Sequence, residues 1–247
     1  MNFPRLAELP PFVTTAQMVE VDRLMIEVFR IELVQMMENA GRNLARLANG
    51  RFLQHNPLNK QIVVLAGTGG NGGGALVAAR HLHNMGAQVH VVITKPASQF
   101  TAVPAHQLDI LQRIGLPIHH AAQWDDTAVS PHLILDGIIG YSLKGAPHGT
   151  AAALIHWTQS QSAPILSLDT PSGIDTTTGH AFTPAIRATA TMTLALPKEG
   201  LRSPNVIAYI GELYLANISV PPELYTAPTL QLTVAPLFTQ SDIVRLW

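Results

Sequence analysis

The residues of this chain best suited to chemistry gather at one glycine-rich turn and at the ends of two apolar runs. The stretch LAGTGGNGGGALVAARHL, residues 65 to 82, carries six glycines in the eight positions from 67 to 74 and closes on an alanine-rich segment. Gly67, Gly69 and Gly72 satisfy the pattern G-x-G-x-x-G between a strand and a helix. Glycine there lets backbone N–H groups converge on an anion, and the following helix adds its positive N-terminal end. A phosphate-bearing ligand and a tight turn that packs helix on sheet both account for the pattern. Neither standard nucleotide motif is complete. A dinucleotide site calls for an acidic residue about 20 positions on, whereas the second strand ends VVITKP with Lys95. A P-loop closes on Gly-Lys-Ser/Thr, whereas this turn closes on Gly73-Gly74-Ala75.

Two carboxylates end apolar runs, Asp136 in LILDGIIG and Asp169 in LSLDTPSGID. Ligands of an open parallel sheet bind beyond the carboxyl ends of its strands. A carboxylate there is partly dehydrated by its own strand, which raises its pKa unless a cation or N–H groups answer it, and acid–base and cation sites exploit that tension. Plain hydrogen bonding to the next loop is the alternative for each.

The elements that must hold these residues follow from periodicity. Apolar residues recur at spacings of three and four from Thr15 to Phe29 and from Ile31 to His55, through Met18, Leu24, Met25, Val28, Leu33, Met36, Met37, Ala40, Leu44, Leu47 and Phe52, which predicts two N-terminal helices, with Met25, Met36 and Met37 as core or interface. QIVVLAG reads as a strand buried on both faces. A helix over 72–85 and the strand AQVHVVIT complete a βαβ unit. The rhythm continues with a helix near 104–114, the strands LPIHH, HLILDGIIG and PILSLDTPSG, and a helix over 150–161. ATATMTLALPK, VIAYIGELYLANISV and TLQLTVAPL then read as strands with little helix between them. The expected fold is α/β, a single domain over 1–247 with a mainly parallel, doubly wound sheet and antiparallel or edge additions near the C-terminus.

Composition narrows the function. Lys and Arg number 15 against 16 Asp and Glu, and no basic run appears, which argues against nucleic acid or an anionic membrane as partner. Cysteine is absent, so no disulfide, thiolate metal site or cysteine nucleophile is available. His81, His83, His119 and His120 lack a third ligand at zinc spacing. Charged residues are only 13% of the chain, against roughly 25% on average, which suits a buried oligomer interface. MNFPRLAELPPF lacks the apolar core of a signal peptide and no long apolar run follows, so a soluble, cytoplasmic protein is expected.

MENAGRNLARL, GTGGNGGGALVAARHL, LILDGIIGYSLKGAP, SLDTPSGIDTTTG and LALPKEGL occur in the order and spacing of the NAD(P)H-hydrate epimerase family, the YjeF N-terminal domain family, which the chain resembles from about Thr14 to Ala216. The resemblance implies a Rossmann-like αβα sandwich, a homodimer, and interconversion of the R and S forms of NADHX and NADPHX, nicotinamide cofactors hydrated at C6. It also implies a bound potassium ion, with Asn71, Asp136 and Ser172 in the positions of its ligands; oxygen-only ligation suits such a hard cation. Gly70, Asn71, Gly72, Gly73 and Gly74 correspond to the substrate-contacting turn, and Gly140, Tyr141, Ser142, Leu143, Lys144, Gly145 and Ala146 to the loop lining the hydrate's site. Asp169 corresponds to the substrate-contacting aspartate and is cast as general acid–base. Ring N1 expels the C6 hydroxyl once an acid protonates it, and water re-enters the planar iminium from either face; opening of the N1–C6 bond is the competing route.

The family turn usually reads Asn-Asn-Gly-Gly-Asp-Gly, whereas this chain has Gly70-Asn71-Gly72-Gly73-Gly74-Ala75. An amide and a carboxylate are thereby lost, and a polar ligand group left unpartnered costs about 1–3 kcal/mol. Two alternatives to the epimerase therefore stand: a noncatalytic nucleotide-binding or scaffold homologue, and a diverged enzyme acting on another cyclic nitrogen-bearing substrate. Lys144 has two readings, a pyrophosphate contact or a solvated loop residue, and so does Lys198, as a group reaching the site or a surface turn lysine.

Overall fold

The computed structural model describes residues 3–125, 127 and 129–247. Eight strands form one sheet in the order β3-β2-β1-β4-β5-β6-β7-β8. They are β1 (Gln61–Ala66), β2 (Gln88–Ile93), β3 (Ile118–His120), β4 (Leu133–Gly137), β5 (Ile165–Leu168), β6 (Ala190–Leu194), β7 (Glu212–Ala216) and β8 (Ile243–Arg245). Every neighbouring pair is parallel except β7 and β8. From β3 to β6 this is the strand order of doubly wound dinucleotide folds, whose ligand crevice opens where the order reverses, here between β1 and β4.

Alternate residues of β1 serve the two faces. Ile62, Val64 and Ala66 join the core beneath α2 (Leu33–Leu47), α3 (Gly70–Asn84) and α4 (Ala102–Arg113), where Leu44, Leu76 and Leu108 are fully buried. Val63 and Leu65 point to the other face and pack with Leu154 and Ile155 of α5 (Gly149–Gln159). Each such apolar side chain taken fully from water contributes about 1.5–3 kcal/mol. Among the described residues no helix is long and apolar enough to cross a membrane.

The first N-terminal helix is α1 (Thr15–Arg23) continued by a π-helical turn over Leu24–Val28, and α2 is extended in the same way over Ala48–Phe52. Thr14 and Gln17 form a capping box that starts α1. Most of the apolar stripe is buried, Met25, Met36 and Met37 included, while Val28 and Leu33 are 57% and 38% exposed at the junction between the two helices. TLQLTVAPL is a correction, because it is irregular. Its Leu230, Leu232, Val234 and Leu237 pack into the cluster of Met18 and Val21 on α1 and Leu24 of its π-helical turn, and β8 takes the sheet edge beside β7 instead. Two short helical turns, α6 (Ile207–Ile210) and α7 (Pro222–Tyr225), flank β7.

Candidate active site

The glycine turn lies flat against the end of β4. A Cβ on Gly67 would stand 1.9 Å from the Ile138 carbonyl oxygen, and one on Gly72 would stand 1.8 Å from the Gly67 oxygen, so both approaches require glycine. Gly69 and Gly70 have open space around them and line a cavity of about 400 Å³ at the carboxyl edge of the sheet. Gly69 caps α3 without a side-chain hydrogen bond, so among the described residues the first-turn N–H groups of α3 have neither an intrahelical nor a side-chain partner. Gly73 and Gly74 point elsewhere. Their Cα atoms press toward Met37 and Leu168 inside the packing, and neither residue lines the cavity.

Asn71 ties the turn to β5, its Nδ2 donating to the Leu168 carbonyl at 2.7 Å, while its Oδ1 lies against Gly140. Asp136 is fully buried on β4. Its carboxylate accepts from Ser172 Oγ at 2.6 Å, Ser167 Oγ at 2.7 Å, Ser172 N at 2.9 Å and Ile138 N at 3.2 Å. Burial pushes its pKa up against the pull of those four donors, and all four are neutral. Asn71 lines the cavity, whereas Asp136 and Ser172 lie behind its wall.

Asp169 follows β5 at a φ of +65°, a left-handed conformation that aspartate adopts more readily than most residues. That turn directs its carboxylate back toward β6. Oδ1 accepts a short hydrogen bond from Lys198 Nζ, and lies 3.3 Å from both Thr193 Oγ1 and Leu194 N. Lys198 Nζ also donates to the Leu194 carbonyl at 3.0 Å. Asp169 is 2% exposed and Lys198 0%, yet both line the cavity, so its floor is a buried ion pair. The surface-turn alternative for Lys198 is therefore excluded. The N-terminal segment pairs with the backbone on either side of Lys198: Val13 N donates to the Pro197 carbonyl at 2.8 Å and Glu199 N to the Val13 carbonyl at 2.9 Å.

Of the loop after β4, Gly140, Tyr141 and Ser142 line the cavity. Leu143, Lys144, Gly145 and Ala146 do not, and Lys144 is exposed. One ionisable cavity residue escaped sequence reasoning. Asp22, on α1 one turn after Met18, accepts the Tyr141 hydroxyl at 2.5 Å. Burial raises the Asp22 pKa against the pull of the Tyr141 hydrogen bond and the Lys198 charge, with the Asp169 charge adding to the rise. Burial together with the Asp22 charge holds the Tyr141 phenol well above its ordinary value. The remaining wall is apolar, with Met36, Met37 and Leu194 among its residues. An apolar wall, a buried ion pair and a bare helix N-terminus suit a ligand with a flat uncharged ring and an anionic tail.

Comparison with known proteins agrees with this architecture. The family model for the YjeF-related protein N-terminus matches residues 33–200. A protein of Dehalogenimonas lykanthroporepellens named NAD(P)H-hydrate epimerase is 40% identical, over 95% of this chain and 92% of its own length. The bifunctional NAD(P)H-hydrate repair enzyme Nnr of Moorella thermoacetica is 35% identical over 86% of this chain, which spans 41% of that longer protein. The crystal structure of yeast ynu0 superposes with a TM-score of 0.80, at 23% identity, covering 96% of this chain and all of that one, and so shares the fold. Family match, relatives and fold together make this chain a member of the YjeF-related N-terminal domain family.

Proposed function

We propose that the chain is an NAD(P)H-hydrate epimerase, interconverting the R and S forms of NADHX and NADPHX. The observation that carries this is the Asp169–Lys198 pair on the floor of the cavity, supported by relatives that bear the epimerase name. The hydrated ring enters with C6 toward Asp169 and its pyrophosphate toward the N–H groups of the Gly69–Asn71 turn. The ion pair holds one dissociable proton, carried on Lys198. It passes through the Asp169 carboxylate to the C6 hydroxyl; the C6–O bond breaks as the N1 lone pair forms the N1=C6 bond, and water leaves, with Lys198 left neutral. Return of water to C6 restores the lone pair on N1 and gives a proton back. Acid–base catalysis of this kind contributes typically 10²–10⁴-fold. Asp169 is the catalytic residue of this scheme, and Gly70, Asn71, Gly72, Gly140, Tyr141 and Ser142 are its substrate contacts. Tight packing around Gly73 and Gly74 and the solvent-facing course of residues 143–146 argue for an indirect part in shaping the two loops.

Potassium fits the same reading. Asp136 is a buried carboxylate, no cationic side chain pairs with it among the described residues, and its surroundings offer only oxygen ligands. The ion would be held by Asn71 Oδ1, Asp136 and Ser172 Oγ. The Ser172 proton has a second acceptor in the Ile139 carbonyl at 3.3 Å, which frees the hydroxyl oxygen to turn toward a cation. When bound, the ion supplies positive charge beside a buried carboxylate and stiffens the turn against β4. The homodimer and the cytoplasm complete the proposal as assembly and place of action.

The test is a proton-NMR time course of purified R-NADHX with the protein, with and without potassium. Appearance of S-NADHX in proportion to enzyme concentration is expected. Saturable binding without interconversion identifies a noncatalytic homologue, and no binding identifies a different substrate.

A further inference from the structure

The cavity holds a second proton-bearing pair, Asp22 with Tyr141, on elements other than those that carry Asp169 and Lys198. Asp22 lies outside the residues matched by the family model, so nothing in that match assigns it a role. Its place is nevertheless firmly set. The chain entering α1 is bonded to the backbone on both sides of Lys198 through Val13. Thr15 Oγ1 lies 3.2 Å from Thr176 Oγ1, which donates to the Tyr141 carbonyl at 3.3 Å. One frame thus holds Asp22, Tyr141 and Lys198. The other charged side chains of this stretch, Glu20, Arg23 and Glu27, pair among themselves on the exposed side of the helix. The charges that face Asp22 are Lys198 and Asp169, with the Tyr141 phenol in direct contact. Burial raises the pKa of its carboxyl, which strengthens it as a proton acceptor.

Inversion at C6 requires oxygen to leave one face of the ring and enter the other. A single carrier fixed on one face favours return of water to the face it left. From the placement of these two pairs on different elements of one cavity we infer that Asp22, with Tyr141, is the second proton carrier, taking the proton of the water that enters C6 to give the inverted product. This inference rests on the epimerase reading. The step is balanced: the entering water forms the C6–O bond, the N1=C6 electrons return to N1, and one water proton passes to Asp22, either directly or through the Tyr141 hydroxyl as the phenol hands its own proton on. The reverse reaction exchanges the roles of the two pairs, and exchange with bulk water resets them.

The experiment uses R-NADHX carrying ¹⁸O in its C6 hydroxyl, in unlabelled water, with label loss followed by mass spectrometry and configuration by proton NMR. With the wild-type chain, label is lost as S product forms. In Asp22→Asn and in Tyr141→Phe, inversion falls at least about tenfold more than does loss of label from recovered R substrate. The ratio of exchange to inversion then rises by the same factor. A purely structural role lowers exchange and inversion together, and that result overturns the inference, as does an unchanged ratio in both variants. Inversion by the wild type with label retained also overturns it, because the ring then opens instead. Neither inversion nor exchange by the wild type is the separate failure of the epimerase reading, and the inference falls with it.

Discussion

Replacing Lys198 by methionine strips the buried Asp169 carboxylate of its counter-charge. Removing one partner of a buried pair costs about 3–5 kcal/mol, while replacing both by groups of similar volume is close to neutral. Lys198→Met is therefore expected to lower the urea midpoint strongly, and the double variant Asp169→Asn with Lys198→Met to recover most of the loss; equal destabilisation of the two would show that the pair is not coupled. Asp136 sets up a second comparison. At a hundredfold excess over Kd a bound ion adds about 2.7 kcal/mol, or about 5–10 °C in Tm for a chain of this size. Potassium is expected to raise Tm relative to a bulky organic cation at equal ionic strength, and Asp136→Asn to remove the difference. Identical melting of the wild type in both salts contradicts the cation proposal. Both aspartates were legible as strand-end carboxylates, because an apolar run interrupted by one acid has few structural uses. Lys198 was legible only as an alternative, since the partners that set its place, Asp169 and Val13, lie 29 and 185 positions away in sequence. Asp22 carried no local signal beyond its place one turn after Met18 on a helix whose docking depends on that same distant bridge.

At the level of elements, the glycine turn combines two functions that a single motif conceals. Gly67 and Gly72 are required where backbone meets backbone, whereas Gly69 and Gly70 stand in open space. Gly72→Ala is expected to cost about 3 kcal/mol or more, because the clash is with the Gly67 carbonyl and not with a movable side chain. Gly70→Asn restores the amide usual in the family turn and is expected to change stability by less than about 0.5 kcal/mol while altering KM; chemical denaturation and steady-state kinetics measure the two. Equal destabilisation by both substitutions would refute this division of labour. The βαβ rhythm made the sheet readable up to β6 because a strand buried on both faces and a helix packed over it leave distinct periodicities. TLQLTVAPL was misread for a physical reason: a segment laid across α1 also presents alternate apolar residues inward, and sequence alone does not distinguish a helical neighbour from a strand.

The whole molecule leaves apolar surface at the start of the chain. Val19 and Val28 are 53% and 57% exposed, and Leu33 and Val34 are 38% and 39% exposed, on α1, its π-helical turn and the first turn of α2. Met25, Met36 and Met37 of the same stretch, read as core or interface, are buried within the single chain. If this stretch is the proposed dimer interface, equilibrium sedimentation will give twice the mass of one chain and Val34→Asp will shift it toward monomer; a monomeric wild type contradicts the dimer. Leu33 also lines the cavity, so a partner seated there would stand close to its mouth. The most direct measurement is the conversion of R-NADHX to S-NADHX by proton NMR, with wild-type and Asp169→Asn proteins side by side, both shown by thermal melting to be folded at the assay temperature. Conversion by the wild type that falls to the uncatalysed rate in Asp169→Asn is the predicted result; conversion at the wild-type rate by the variant would contradict it.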